Sequence, residues 1–279
     1  MAKYASDKEA SMVSVVVPLY NCADYIRDTI RTVTEQTYTN WELILVDDKS
    51  TDDTLSRTRG EIGALPEETA SKIRLIEKPE DTGAADTRNT GVDAARGRYI
   101  AFLDADDLWH RRKLELELHF CEKQRAGFVF TAYHFGDEHG SPTGKVTRVP
   151  STLTFRQALS RTVIFTSTVL IDTERISRER IHMPQIPSED TATWWALLKS
   201  GVTAHGLDFP LATYRRHSGT LSSNKAASIG RIWNLYRTVA HLSVPESAVY
   251  LAGWASNAAA RRIIPDRVRP RHSQRRMPD

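Results

Sequence analysis

The 279 residues are 40% hydrophobic and 26% charged, an ordinary balance for a globular chain that excludes a collagen repeat, a coiled coil and wholesale disorder. The longest apolar stretches, 13–18 and 99–103, fall far short of the ~20 residues that span a bilayer, and residues 1–12 lack the apolar core of a signal peptide. The net charge of +3 is uneven: residues 261–279 hold seven Arg against two Asp, or +5, which leaves −2 on residues 1–260 and excludes a nucleic-acid-binding body.

Taken in chain order, VSVVVPL (13–19) is β-branched and short, a buried strand. Residues 23–36 place Tyr25, Ile26, Ile30 and Val33 near a 3.6 period, a helix. WELILV (41–46) is the next strand, stopped by DDKSTDD, whose Thr51, Asp52 and Asp53 are suited to cap a following helix. IRLIE (73–77) reads as a third strand, residues 83–95 as a helix ended at Arg96-Gly97, and RYIAFL (98–103) as a fourth strand followed by a helix from about 110 to 123. Beyond Gly127 the sequence predicts a strand over 127–135, a turn-rich hairpin loop over 137–145, helices over 154–160 and 188–200, and a strand over 167–171. Two amphipathic helices fill 225–264, broken near Val244-Pro245.

Strands separated by helices imply crossover connections, hence an α/β fold with a mostly parallel sheet covered on both faces. Five segments are expected: an extension (1–12), an α/β half (13–123), a second half (124–223), C-terminal helices (224–264) and a basic, poorly ordered tail (265–279). Cys22 and Cys121 stand far apart, which fits a reducing cytosol and no zinc or disulfide framework.

Open α/β sheets bind ligands at the carboxyl ends of their strands. Pro18, Tyr20 and Asn21 follow the first strand, Asp47-Asp48 the second, Asp81-Thr82-Gly83 and then Arg88 the third, and Asp104-Ala105-Asp106-Asp107 the fourth. Such a layout suits a ligand cleft. Carboxylates crowded at one strand end repel one another, and a hard divalent cation relieves the repulsion through oxygen ligands. Each piece alone also has a plainer reading: a bare D-x-D is a solvated turn with Asp107 capping the next helix, Asp47-Asp48 a turn with caps, and Arg88 a surface residue.

Together SVVVPLYN (14–21), WELILVDDKSTDDT (41–54), DTGAADTRNTGVDAARGRYIAFLDADD (81–107) and SED (188–190) resemble the family 2 glycosyltransferases. The resemblance implies the GT-A fold, a Rossmann-like sheet with helices on both faces plus C-terminal helices, and inverting transfer from a nucleotide-diphosphate sugar, with UDP favoured. It makes 13–123 the nucleotide-sugar-binding half and 124–223 the acceptor-binding and catalytic half, and it puts Pro18, Tyr20 and Asn21 at the nucleotide, Asp48 on the uracil imide, and Gly83 and Arg88 beside the nucleotide and its diphosphate. It also puts Asp104, Ala105 and Asp106 in the D-x-D segment that meets the ribose and, through Mn²⁺ or Mg²⁺, the diphosphate. His217 in TYRRHSGTLSS (213–223) is the further candidate for a metal or phosphate contact, and Asp190 matches the catalytic base, with Glu189 as runner-up. Two departures stand out: Lys49 occupies a turn position where glycine is usual, and TSTVLID (166–172) resembles only some bacterial members, which points to polysaccharide or lipid-linked glycan synthesis in the cytoplasm.

Phe165, Trp194 and Trp195 are candidates to stack on an acceptor sugar, and equally candidates for core aromatics. The basic end admits a solvated tail or a contact with anionic lipid at the inner face of the plasma membrane. Two other classes stay open: a nucleotidyltransferase, disfavoured because PLYNCADY lacks a glycine-rich phosphate loop, and a non-catalytic nucleotide-sugar-binding scaffold.

Overall fold

A computed structural model describes residues 11–216 and 225–263 of the chain. The opening elements are β1 (Val13–Leu19), α1 (Ile26–Thr34), β2 (Trp41–Asp47), α2 (Thr54–Gly63), the single turn α3 (Glu67–Ala70), β3 (Ile73–Glu77), α4 (Ala84–Ala94) and β4 (Tyr99–Phe102). After them come β5 (Leu108–Trp109), α5 (Lys113–Gln124), β6 (Phe128–Gly136), β7 (Pro142–Thr147), β8 (Thr152–Leu153) and α6 (Phe155–Ser160). The chain continues through β9 (Leu170–Asp172), α7 (Glu189–Lys199), β10 (Ala204–Arg215), α8 (Lys225–Thr238) and α9 (Val244–Ile263).

One sheet carries them all, in the order β3-β2-β1-β4-β9-β6-β10-β5, with β7 added to β6 and β8 to β10. Side chains alternate across it. Val13, Val15 and Val17 face the layer of Ile26, Ile30 and Val33 from α1 and Leu114 and Leu118 from α5. Val16, Ile44, Val46 and Phe102 face Val92 of α4 and Trp194 and Leu198 of α7. The small residues of α4 have a packing reason: a Cβ on Gly91 would stand 2.4 Å from Cγ1 of Val16, so this helix lies on β1 at a distance only glycine permits.

The first four strands pair in parallel, as expected from their crossover helices. The parallel pattern ends at β9, which is antiparallel to β4 and to β6, and resumes between β6 and β10. Residues 167–171 are therefore not one strand: a 3₁₀ turn over Thr166–Thr168 precedes the short β9. The strand β10 has no counterpart in the sequence reading, because Gly206 and Pro210 interrupt its β pattern and the register slips between Leu207 and Pro210 and again between Pro210 and Ala212. Part of the predicted 137–145 loop is β7, which folds back on β6. The helix expected from residue 110 begins only at Lys113, because Leu108 and Trp109 are drawn into pairing with Thr213 and Ala212.

Beneath this edge lies a buried ion pair. The Lys113 ammonium is 2.5 Å from Glu117 Oε2, both side chains are fully enclosed, and the ammonium sits 4.1 Å from the centre of the Trp109 ring. Glu117 Oε1 has no partner. Burial pushes the Glu117 carboxyl up to about 7 against the pull of Lys113. Between its unfolded value of 4.5 and about 7, the folded protein holds a proton that the unfolded chain has released. Its contribution to stability therefore falls as pH rises through that window. His110, His134 and His205, all lowered first by burial, act with the opposite sign below 6.5. The readout is therefore the difference between two proteins. Thermal unfolding of wild type and Glu117→Gln from pH 4.5 to 7 is expected to show the wild type losing stability relative to the variant as pH rises, by at most about 1.4 kcal/mol per pH unit.

Candidate active site

The site is built where β1, β2 and β4 end side by side. Leu19 is in register with Asp47, and the Asp48 amide donates to the Leu19 carbonyl at 2.9 Å. The loops after β1 and β2 are stitched together: Asn21 Oδ1 accepts from the Thr51 amide at 2.8 Å, and the Asn21 amide donates to Ser50 Oγ at 3.1 Å. Asn21 (φ 47°) and Lys49 (φ 60°) both adopt left-handed backbone, so Lys49 does occupy the conformation that glycine enters more easily. The carboxylate of Asp47 is turned inward to Ser50, accepting from its amide and its hydroxyl at 3.0 and 2.6 Å. Tyr20 beside it is 52% exposed, and Pro18 is half-buried.

Asp48 is 3% exposed and points the other way, toward the start of α4. Its carboxylate accepts from the amides of Thr82 (3.1 Å) and Gly83 (2.7 Å) and from the Lys78 ammonium (2.7 Å). Burial works to raise this carboxyl, but Lys78 and the two amides outweigh it and hold it below the usual carboxylate range. Gly83 reaches that geometry with φ 88°, and a side chain there would meet strain rather than a clash. Lys78 also pairs with Asp86 at 2.8 Å, and its own pKa is raised because these carboxylates overcome its burial. Sequence reading passed over Lys78, although it is the first residue beyond β3 and the logic of strand ends applies to it.

Arg88 is the hub of the far side. One Nη donates to Asp104 Oδ1 and the other to Glu189 Oε1, each at 2.7 Å, and the side chain is 9% exposed. Burial works to lower the guanidinium, and the charges of Asp104, Glu189 and Asp190 more than restore it. The residue read alternatively as a surface arginine is thus a buried strut between β4 and α7. Glu189, the runner-up base, is occupied by that contact.

In the D-x-D turn the Ala105 carbonyl is anchored by the Thr29 hydroxyl at 2.5 Å, while Asp104 and Asp106 are half-buried. Asp107 caps no helix. It is fully buried, accepts from the Ser167 hydroxyl at 2.5 Å and from the Arg215 amide at 3.2 Å, and is held well above the usual range by burial and then by Asp106 and Asp104. Asp190 stands in the first turn of α7, just after Ser188, whose φ of 64° swings the chain into the helix. Its Oδ2 accepts from Thr166 Oγ1 at 2.9 Å and its Oδ1 from the Thr191 amide at 2.6 Å. Two contact groups result: Asp48 with Gly83 through Lys78 and the start of α4, and Arg88 with Asp104 and Glu189, to which the turn Thr166-Ser167 adds Asp107 and Asp190. His217 and the tail from 265 lie outside the described residues.

The aromatic candidates separate. Trp194 and Trp195 are 1% and 2% exposed and neither faces a cleft. Trp194 packs against Phe102 and Phe128, and Trp195 stacks on Tyr236 of α8 at 5.4 Å and 12°, which docks the C-terminal helices. Phe165 is half-buried and meets Tyr133 and Tyr214, with ring centres 5.0 and 4.9 Å away, at the ends of β6 and β10.

The profile of "Glycosyl transferase family 2" matches residues 14–182. The chain belongs to this family. A Bacillus subtilis protein named for teichuronic acid biosynthesis, the glycosyltransferase TuaG, is 39% identical over 253 residues, 90% of this chain and 98% of its own. WfaP of Escherichia coli, named a UDP-Glc:alpha-D-GlcNAc-diphosphoundecaprenol beta-1,3-glucosyltransferase, is 34% identical over 82% of this chain and 86% of its own. Among solved structures, residues 1–349 of Staphylococcus aureus TarS in complex with UDP superpose with a TM-score of 0.63 at 17% identity, covering 89% of this chain and 72% of that one. The mannosyltransferase PcManGT of Pyrobaculum calidifontis, in complex with GDP-Man and Mn²⁺, gives 0.59 at 20% identity over 89% and 75%. The fold is GT-A and the protein is a glycosyltransferase; a nucleotidyltransferase is not favoured. No helix among the described residues is long and apolar enough to cross a membrane.

Proposed function

We propose that the chain transfers a sugar from a UDP-sugar, with inversion, to a hydroxyl of a lipid-linked saccharide. The observation that carries this reading is the Arg88 bridge, which sets the Glu189-Asp190 end of α7 across from the D-x-D turn. WfaP supports the donor and acceptor classes through its name, and the UDP complex of TarS supports the nucleotide.

Tyr20 offers an exposed ring to the base, and Asp48, kept ionised by Lys78, accepts from the uracil imide. Asp190 takes the proton of the acceptor hydroxyl as that oxygen bonds to the anomeric carbon, and the bond from that carbon to the diphosphate oxygen breaks with its electron pair going to the leaving UDP. One base and one displacement invert the centre, and no carboxylate nucleophile is required.

The D-x-D end fits a hard divalent cation. Its donors are carboxylate oxygens, and their negative charge adds to burial in raising the neighbouring Asp107. Asp104 and Asp106 would hold Mn²⁺ or Mg²⁺, with His217 as a further candidate, and the cation would stabilise charge on the departing diphosphate. The lipid-linked acceptor places the protein at the inner face of the plasma membrane, with the Arg-rich segment 261–276 against anionic headgroups, each basic residue worth about 1 kcal/mol near the surface.

A thermal-shift screen of UDP-glucose, UDP-GlcNAc and GDP-mannose with and without Mn²⁺ identifies the donor as the sugar nucleotide that stabilises most. With that donor and an alkyl-diphospho-GlcNAc acceptor, Asp190→Asn is expected to lower kcat roughly 10²–10⁴-fold while the Kd for UDP with Mn²⁺ stays within about twofold; a near-full rate removes Asp190 as the base. Asp106→Asn is expected to abolish the dependence of UDP affinity on Mn²⁺ in calorimetry, and an unchanged dependence removes it as a ligand. Replacing Arg267, Arg269, Arg271, Arg275 and Arg276 with Ser is expected to release the full chain from phosphatidylglycerol vesicles in co-sedimentation, and undiminished binding rejects the basic segment as the contact.

A further inference from the structure

We propose that the turn Thr166-Ser167 is a clamp that fixes the base against the metal-binding turn, with Thr166 a positioning residue for the Asp190 carboxylate and Ser167 one for the Asp104–Asp107 backbone. The inference rests on the reading of Asp190 as base and of the D-x-D as the cation site.

The three hydroxyl residues Thr166, Ser167 and Thr168 are 0–1% exposed, where an unpaired hydroxyl is costly. Thr168 serves the turn itself, donating to the Phe165 carbonyl at 2.6 Å. The other two reach outward. Thr166 Oγ1 donates to Asp190 Oδ2 at 2.9 Å. Ser167 Oγ donates to Asp107 at 2.5 Å and accepts from the Asp104 amide at 3.0 Å. In a 3₁₀ turn successive side chains diverge by about 120°, so adjacent residues address different elements, here α7 and the end of β4. The turn itself is pinned, since the Trp109 indole N–H donates to the Ser167 carbonyl at 2.7 Å. Two neighbouring backbone units thus tie the carboxylate that would take the proton to the backbone that would present the cation.

The contact leaves the base competent. The Thr191 amide holds Oδ1 and the Thr166 hydroxyl holds one side of Oδ2, which fixes the plane of the carboxylate. Each carboxylate oxygen has two lone-pair sites, so Oδ2 keeps one for the acceptor hydroxyl. Removing the Thr166 hydroxyl frees the carboxylate to rotate, and misplacement by an ångström can cost about 10²-fold in rate.

The test uses the full chain, the donor found by the thermal-shift screen, and UDP with Mn²⁺ as binding probe. Thr166→Val is expected to lower kcat about 10–10²-fold with the donor KM and the UDP Kd within about twofold, while Thr166→Ser, which keeps the hydroxyl, stays within about threefold of wild type. In an Asp190→Asn background Thr166→Val is expected to add less than about twofold, because it acts through Asp190. Ser167→Ala is expected to weaken UDP binding in Mn²⁺ at least fivefold. Thr166→Ala reads the same kcat-to-KM split should the valine variant not fold. A Thr166→Val rate within threefold of wild type, equal damage in Thr166→Ser, or an undiminished effect in the Asp190→Asn background overturns the Thr166 assignment and leaves the base reading standing. Unchanged UDP affinity in Ser167→Ala overturns the Ser167 half. A near-full rate in Asp190→Asn alone overturns the base reading itself.

Discussion

The buried guanidinium of Arg88 is the contact on which the site depends. Such a group is stable out of water only with opposite charge and hydrogen-bond acceptors beside it. Asp104 supplies them from the end of β4 and Glu189 from the start of α7, 16 and 101 residues away in sequence. The same contact relieves repulsion among acidic groups that would otherwise crowd one end of the sheet. Loss of either carboxylate would leave a buried cation short of a partner, so the bridge also fixes the spacing between the end of β4 and the start of α7. Gly91 sets the height of that bridge by letting α4 rest directly on β1.

Around this strut several polar residues are held by contacts with neighbouring segments. Asp47, Asn21 and Asp107 spend their side chains on neighbouring loops. Lys78 keeps Asp48 ionised inside the protein, where burial alone would favour its neutral form. Tyr20 stays exposed, Asp104, Asp106 and Asp190 are half-buried, and Tyr133, Phe165 and Tyr214 form an aromatic group beside Thr166. Phe165, Thr166 and Ser167 are consecutive, so a single turn touches the aromatic group, Asp190 and the Asp104–Asp107 segment.

Much of the stretch 13–123 was legible in order. Short β-branched runs flanked by helical periodicity located β1 to β4 closely, and the acidic groups after them followed from where open α/β sheets bind ligands. Lys49 was recognised as a residue in glycine's place, and its φ of 60° bears this out. Trp194 and Trp195 were ambiguous because an aromatic pair on a helix looks the same whether it meets a sugar or a core; the packing of Phe102, Phe128 and Tyr236 settles both as core.

What the order of residues determined by itself was local: the periods of strands and helices, the carboxylates after apolar runs, and the basic charge beyond residue 260. These rest on interactions between residues a few positions apart. Only the tertiary structure decided that Arg88 bridges two carboxylates, that Lys78 keeps Asp48 ionised, that Thr166 holds Asp190 and that β10 joins the sheet despite Gly206 and Pro210. Each of those outcomes is a pairing between distant segments, and the stability of a buried charge or hydroxyl is set by the group that folding brings beside it, which no local pattern encodes.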